Sequence, residues 1–130
     1  MPHFRHLFAD QAVCLGTQLE AAMSQIIDAD PTAIIVLQAD HGSAFEIDFD
    51  DLEWNDTELT ERFSIFGMTR MPERCRSTDP SAHWAVNTAA LVVACVATKT
   101  PQFVEGRSCL TSYDADFAVV EVELPGGPPT

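Results

Sequence analysis

Between Ala33 and Leu37 the chain runs through five apolar residues, three of them β-branched, and then reaches Asp40-His41-Gly42. A stretch this short and this rich in β-branched side chains reads as a strand, not a helix. It does not alternate between apolar and polar positions, so neither of its faces is written for water. Such runs fit a central parallel strand covered on both sides. That requirement predicts a sheet with helices packed over it, an α/β arrangement.

The flanking sequence supplies candidate layers. Residues 8–28 place Leu15, Leu19, Ala22, Met23, Ile26 and Ile27 at helical spacing, and DADP ends the pattern because the residue before proline is biased out of the helical region. DTELTER predicts a short helix with Asp56 or Thr57 as N-cap. RFSIFGMTRMP predicts a second strand closed by Pro72, and ERCRSTDPSAH a polar loop. Residues 81–98 predict a further helix, apolar at Trp84, Leu91, Val92, Cys95 and Val96. PQFVEGRSCLTSYDAD reads as irregular, FAVVEVEL as a last strand on an edge, and residues 125–130 as a flexible tail after a domain spanning 1–124. The expected order is α-β-α-β-α-β. Three strands are fewer than most stable sheets hold, which hints at a missing piece.

Charge narrows the partners. A net charge of −13 repels phosphate backbones and anionic lipid surfaces, so nucleic acid is not an expected ligand. No apolar run approaches the roughly eighteen residues of a membrane span; AALVVACVA is half of that. MPHFRHLFADQ lacks the apolar core of a signal peptide. Cys14, Cys75, Cys95 and Cys109 contain no CxxC spacing. Cys14 and Cys95 fall on helical patterns and read as core thiols. Cys75 and Cys109 lie in loop-like sequence and are candidates for pairing if the compartment is oxidising, with free thiols the alternative.

The chemistry gathers at the strand end. Ligands of open α/β sheets bind beyond the carboxyl ends of strands, where Asp40 and His41 stand. A carboxylate oxygen beside a neutral imidazole nitrogen suits Mn²⁺ or Zn²⁺, with Mg²⁺ less natural for the imidazole. Neighbouring residues of a regular strand face opposite ways, so the two reach one cation only where the strand leaves its pleat, which Gly42 permits. Ser43 is either a donor to a ligand or a turn residue bonded to backbone. His83 is either part of the site or the start of a helix. Arg70, Arg74 and Arg76 either meet an anionic ester or offset the acidic stretch of residues 46–61. That stretch is not an EF-hand: counted from Asp48, its fifth and sixth positions are Leu52 and Glu53. A GxSxG elbow, a P-loop and a dinucleotide fingerprint are all lacking.

IIVLQADHGS, followed by ERFSIFGMTRMP, VNT and RSCLTSYD, resembles the C-terminal part of sulfatase-like proteins of the alkaline phosphatase superfamily. The order and spacing carry the resemblance from about Asp10 to Glu123, beginning with a DQ pair near a helix start. It implies a partial alkaline-phosphatase-like three-layer sheet with flanking helices. It implies that Asp40 and His41 bind a divalent metal, Mn, Zn or Mg, in a hydrolase or transferase of phosphate or sulfate esters. Ser43, His83 and Arg70 become candidates for contact with the substrate or the ligands. The family's nucleophile and first acidic ligands lie upstream of the matching segment, and GMTRMP and GRS stand where relatives carry an asparagine-aromatic strand end and DRS. The expectation is therefore the C-terminal portion of a larger enzyme, inactive alone. Relatives are often membrane-anchored with the catalytic domain outside the cytoplasm. The alternative is a non-catalytic module or degenerate remnant that self-associates or binds a partner chain through exposed sheet surface.

Overall fold

The computed structural model describes residues 2–45, 47–111 and 118–126. The first helix, α1 (Pro2–Ala29), starts earlier than its apolar pattern because proline is well tolerated in a first helical turn, whose N–H groups lack intrahelical acceptors. Asp30 ends it. Its Oδ1 accepts from the Thr32 amide at 2.8 Å and the Thr32 hydroxyl at 2.7 Å, turning the chain into the strand. The Thr32 hydroxyl, then the Thr32 amide, hold the Asp30 carboxyl below its ordinary value, with Arg70 adding to the effect. The apolar stripe of α1 is only partly covered among the described residues: Leu19, Met23 and Ile27 are half-buried, but Leu15 is 56% exposed and Ile26 46%. Near its start Phe8 meets Phe45 edge to face at 5.3 Å.

Strand β1 (Ile35–Gln38) occupies the apolar run and pairs with β2 (Gly67–Arg70), from Ile35 opposite Arg70 to Gln38 opposite Gly67. The pairing is antiparallel, not parallel as the unbroken apolar run suggests. The reason lies in the connection. Helix α2 (Asp56–Phe63) is only eight residues long, and its last turn is tied to the residues just beyond β1 by the Gly42 N–H, which donates to Arg62 O at 2.7 Å. The chain therefore leaves α2 at the end of β1 where it entered, and runs back alongside. α2 starts at Asn55, one residue before the expected caps. Asn55 Oδ1 accepts from the Thr57 and Glu58 amides, and the Glu58 carboxylate accepts from the Asn55 amide, a reciprocal capping box.

After β2 the chain makes short 3-10 turns at Glu73–Cys75, Pro80–His83 and Ala85–Asn87 before α3 (Thr88–Ala97). The helix expected from residue 81 starts at Thr88. Residues 81–87 are held instead by Asn87, 1% exposed, whose amide donates to Ser81 O and Val104 O at 2.8 Å and accepts from the Val104 N–H at 3.0 Å. Trp84 consequently packs on Gly106, where any Cβ would collide with the indole. Thr98, in the left-handed region at φ 54°, closes α3.

Met71, Cys75 and Cys95 form the core cluster, flanked by Ile34, Leu91 and Val92. Cys75 and Cys95 are disulfide-bonded across 5.2 Å between Cα atoms. This corrects both cysteine expectations. Cys95 lies on the buried side of α3, facing the turn that carries Cys75, whereas Cys109 and Cys14 are exposed free thiols. Part of the segment read as irregular is β3 (Ser108–Thr111), whose buried and exposed residues alternate; it pairs antiparallel with β4 (Val119–Val122), the expected last strand. Residues 112–116 of the RSCLTSYDAD segment, 117 at the start of FAVVEVEL, 46 of the acidic stretch and 127–130 of the tail lie outside the described residues. The architecture is mixed helix and strand, with two separate two-stranded antiparallel sheets among the described residues in place of one three-stranded sheet.

Two outcomes follow for stability. Replacing both Cys75 and Cys95 by alanine is expected to remove about 3 kcal/mol, the loop-closure effect of a crosslink spanning some twenty residues. Urea midpoints with and without reductant check this; a wild-type midpoint indifferent to reductant contradicts it. Asn87→Ala leaves the Val104 N–H and two carbonyls without their partner and is expected to cost about 3 kcal/mol. A calorimetric Tm unchanged from wild type would refute that assignment.

Candidate functional site

The ladder ends at Ala39, whose N–H donates to Phe66 O at 2.8 Å. Asp40 and His41 therefore lie beyond the pleat and escape its alternation. Asp40 Oδ1 accepts from the His41 amide at 3.0 Å, which folds the carboxylate over its neighbour. Its Oδ2 stands 3.4 Å from His41 Nε2. Both groups are open to solvent, the Asp40 side chain at 86% and the His41 side chain at 51%. Gly42 is required where it stands: a Cβ there would collide with the Glu61 carbonyl oxygen and lie 2.7 Å from Arg62 O.

His41 Nδ1 has two neighbours at 2.8 Å, the Gly42 carbonyl oxygen and Arg62 Nη1. One ring nitrogen serves only one of them at a time. Protonated, it donates to Gly42 O and leaves Nε2 bare beside Asp40. Unprotonated, it accepts from Arg62, and Nε2 carries the proton. Arg62 Nη1 also donates to Gly42 O at 3.2 Å, and the guanidinium carbon sits 5.4 Å from the centre of the Phe49 ring. The loop beyond Gly42 is pinned by Glu61, whose Oε1 accepts from the Ser43 hydroxyl at 2.7 Å and the Phe45 amide at 2.8 Å. An open cleft lies alongside, lined by Arg5, Ser43, Phe45, Asp56, Thr60 and Glu61.

The donors fit a divalent cation in part. Two ligands of a tetrahedral ion with bonds of about 2.0–2.1 Å stand about 3.3–3.4 Å apart, which the Asp40 Oδ2 to His41 Nε2 separation of 3.4 Å matches. The Gly42 carbonyl on Nδ1 is the kind of acceptor that fixes a ligating imidazole with its other nitrogen bare. Among the described residues no third His, Cys, Asp or Glu joins them in a group of three or more. The acidic stretch is folded on itself: Trp54 Nε1 donates to the Asp48 and Asp51 carbonyls, and Phe49 packs edge to face on Trp54 at 5.7 Å.

The other residues marked in the sequence lie elsewhere. Arg70 is at the opposite end of the ribbon, across from Ile35, and donates to Pro31 O and Ala33 O at 2.7 Å each. Arg76 pairs with Glu73 at 2.9 Å. His83 ends an exposed 3-10 turn, and no hydrogen bond or ion pair joins it to Asp40 or His41. The Ser43 hydroxyl donates to Glu61. The residue that touches the pair is Arg62, which the sequence reading passed over. Its position in the last turn of α2 reads as an ordinary cation at a helix C-terminus, and nothing local announces a partner 21 residues away.

No known protein family, curated protein or solved structure matches the chain.

Gly42→Ala is expected to destabilise the fold by about 3 kcal/mol, because backbone on both sides of the contact has to move. Gly67→Ala, whose Cβ would meet nothing within 4 Å, is the control and should change stability by less than about 1 kcal/mol. Equal urea midpoints for the two variants would remove the close-approach argument.

Proposed function

We propose that this chain is the C-terminal portion of a metal-dependent, sulfatase-like hydrolase or transferase acting on phosphate or sulfate esters, with Asp40 and His41 as two of its metal ligands. One observation carries the reading: adjacent side chains at the carboxyl end of a strand converge with a ligand-like separation of 3.4 Å and stay accessible. The resemblance of the DHG, VNT and RS segments to the alkaline phosphatase superfamily supplies the reaction class. Two of those segments have structural roles: the DHG glycine makes the close approach to α2, and Asn87 of VNT is the most deeply buried polar residue among the described residues.

A divalent cation at this pair would lower the pKa of a nucleophile and neutralise charge on the transferring group. The chain's own residues do the positioning. Gly42 turns the backbone, its carbonyl orients the imidazole, and Glu61 holds the following loop. Two ligands bind a cation weakly, so the chain alone is expected to be without turnover.

Millimolar Zn²⁺ or Mn²⁺ is expected to raise the Tm of the purified chain, with the rise lost in both His41→Ala and Asp40→Asn. A rise that persists in both variants puts the metal elsewhere, and the reading fails. Esterase turnover by the isolated chain would contradict the expectation that the nucleophile is supplied by other residues.

A second reading, a non-catalytic module bound to a partner chain, is favoured by uncovered apolar surface. Val13 is 71% exposed on α1, and an open groove between β1 and α3 is lined by Val36, Ala89, Val92 and Val93.

A further inference from the structure

We propose that α1 is a self-association helix: it packs antiparallel against α1 of a second copy of this chain, along the stripe Phe8, Ala12, Leu15, Leu19, Ala22 and Ile26. The inference does not rest on the metal-centre reading. It gives the partly covered stripe of α1 one occupant and one register.

The stripe has the spacing of a coiled-coil seam. Its residues are separated by four, three, four, three and four positions, the a/d repeat of a heptad, over about 27 Å of helix. Phe8, Leu15 and Ile26 are exposed on it, and Leu19 is half-buried. Gln11, Gln18 and Gln25 recur every seven residues along one flank, and all are exposed. Ala9, Gly16 and Met23 recur along the other flank. Between residues 8 and 26 neither the seam nor its flanks carry a charge. Asp10, Glu20 and Asp28 fall at positions outside them, on the opposite half of the helix.

The register selects the occupant. About Thr17 the seam reads the same in both directions: Leu15 and Leu19 stand two residues from it, Ala12 and Ala22 five, and Phe8 and Ile26 nine. A two-fold contact needs this symmetry, because residue i has to meet residue j of the other copy while j meets i. Antiparallel pairing sets Phe8 against Ile26 of the second copy, Ala12 against its Ala22 and Leu15 against its Leu19. Large side chains meet large ones, and the alanine layers let the backbones approach. Glutamine amides meet glutamine amides along one flank. Arg5 takes the next seam position and falls opposite Ala29 of the second copy, beside its Asp28, so a cation meets an acid at each end of the pair. A parallel pairing would instead set Arg5 against Arg5. The net charge of −13 opposes most contacts between two copies, and it opposes this uncharged face least.

Sedimentation equilibrium of the full chain is expected to show a monomer–dimer equilibrium across the micromolar range, ending at twice 14.2 kDa. Leu15→Glu brings two like charges together at the centre of the pair and is expected to weaken the dimer about a hundred-fold. Val13→Glu adds the same charge to an exposed position outside the seam and is expected to change the affinity by no more than about two-fold. Orientation is read by crosslinking with a short bismaleimide, in a background where the exposed thiols are removed by Cys14→Ser and Cys109→Ser. Gln18→Cys lies next to the two-fold axis and is expected to join two copies. Gln11→Cys is expected not to, because the two thiols stand about 18 Å apart along the helices. These two variants carry the test on their own where Leu15→Glu does not fold. A chain that stays monomeric throughout would overturn the proposal and leave the stripe to a different polypeptide. It would equally be overturned by a dimer that survives a folded Leu15→Glu, by Gln11→Cys crosslinking as readily as Gln18→Cys, or by open-ended assembly without a dimer end point.

Discussion

The hydrogen bond from the Gly42 N–H to the Arg62 carbonyl, at 2.7 Å, organises this end of the molecule. It works only because residue 42 has no Cβ, which lets two backbones touch where any side chain would keep them apart. Three consequences descend from it. The chain returns from α2 at the end of β1 where it left, which makes the strand pair antiparallel. Asp40 and His41 are released from the pleat just before the contact, which allows them to face one another. Arg62 is brought from 21 residues away onto the imidazole.

What the sequence reveals and what it hides divide along a physical line. Local signals were sufficient for β1, for α2 with its acid-rich first turn, and for the DHG turn, because each is set by neighbours a few residues apart. Asn55 was missed as the cap although Glu58 at the third helical position marks it, a signal available in the sequence and outranked by the acids that follow. The start of α3 is not legible, because Asn87 ties the turn at Ser81 to Val104, seventeen residues on. Strand direction depends on where α2 is anchored, and the Cys75–Cys95 pairing on which side of α3 is buried. Neither is written in any window of a dozen residues. Arg62 belongs to the same class: a residue whose role is defined by a contact across the fold looks ordinary in its own segment.

The apolar run of β1 demands cover on both faces, and the described residues provide little more than one. Ile35 is 8% exposed, while Val36 on the other face is 37% exposed beside an α3 that also shows Val93 at 66%. Val36, Val92 and Val93 line an open groove there, and apolar surface left in water is costly. On α1, Leu15 and Ile26 are exposed in the same way.

The Cys75–Cys95 bond closes a ring of chain that contains the exposed polar loop through Arg76, Thr78 and Asp79. Loops of that composition are where proteases cut, and Arg76 offers a basic cleavage point within the ring. A nick there severs the backbone without separating the pieces, since the sulfur bridge spans the break. β1 and β2 remain tethered to α3, and the Met71 cluster keeps its covalent seam. A nicked molecule would run at full mass until reduced and then fall into two parts. Wholeness of the chain and wholeness of the fold are, in this protein, separate properties.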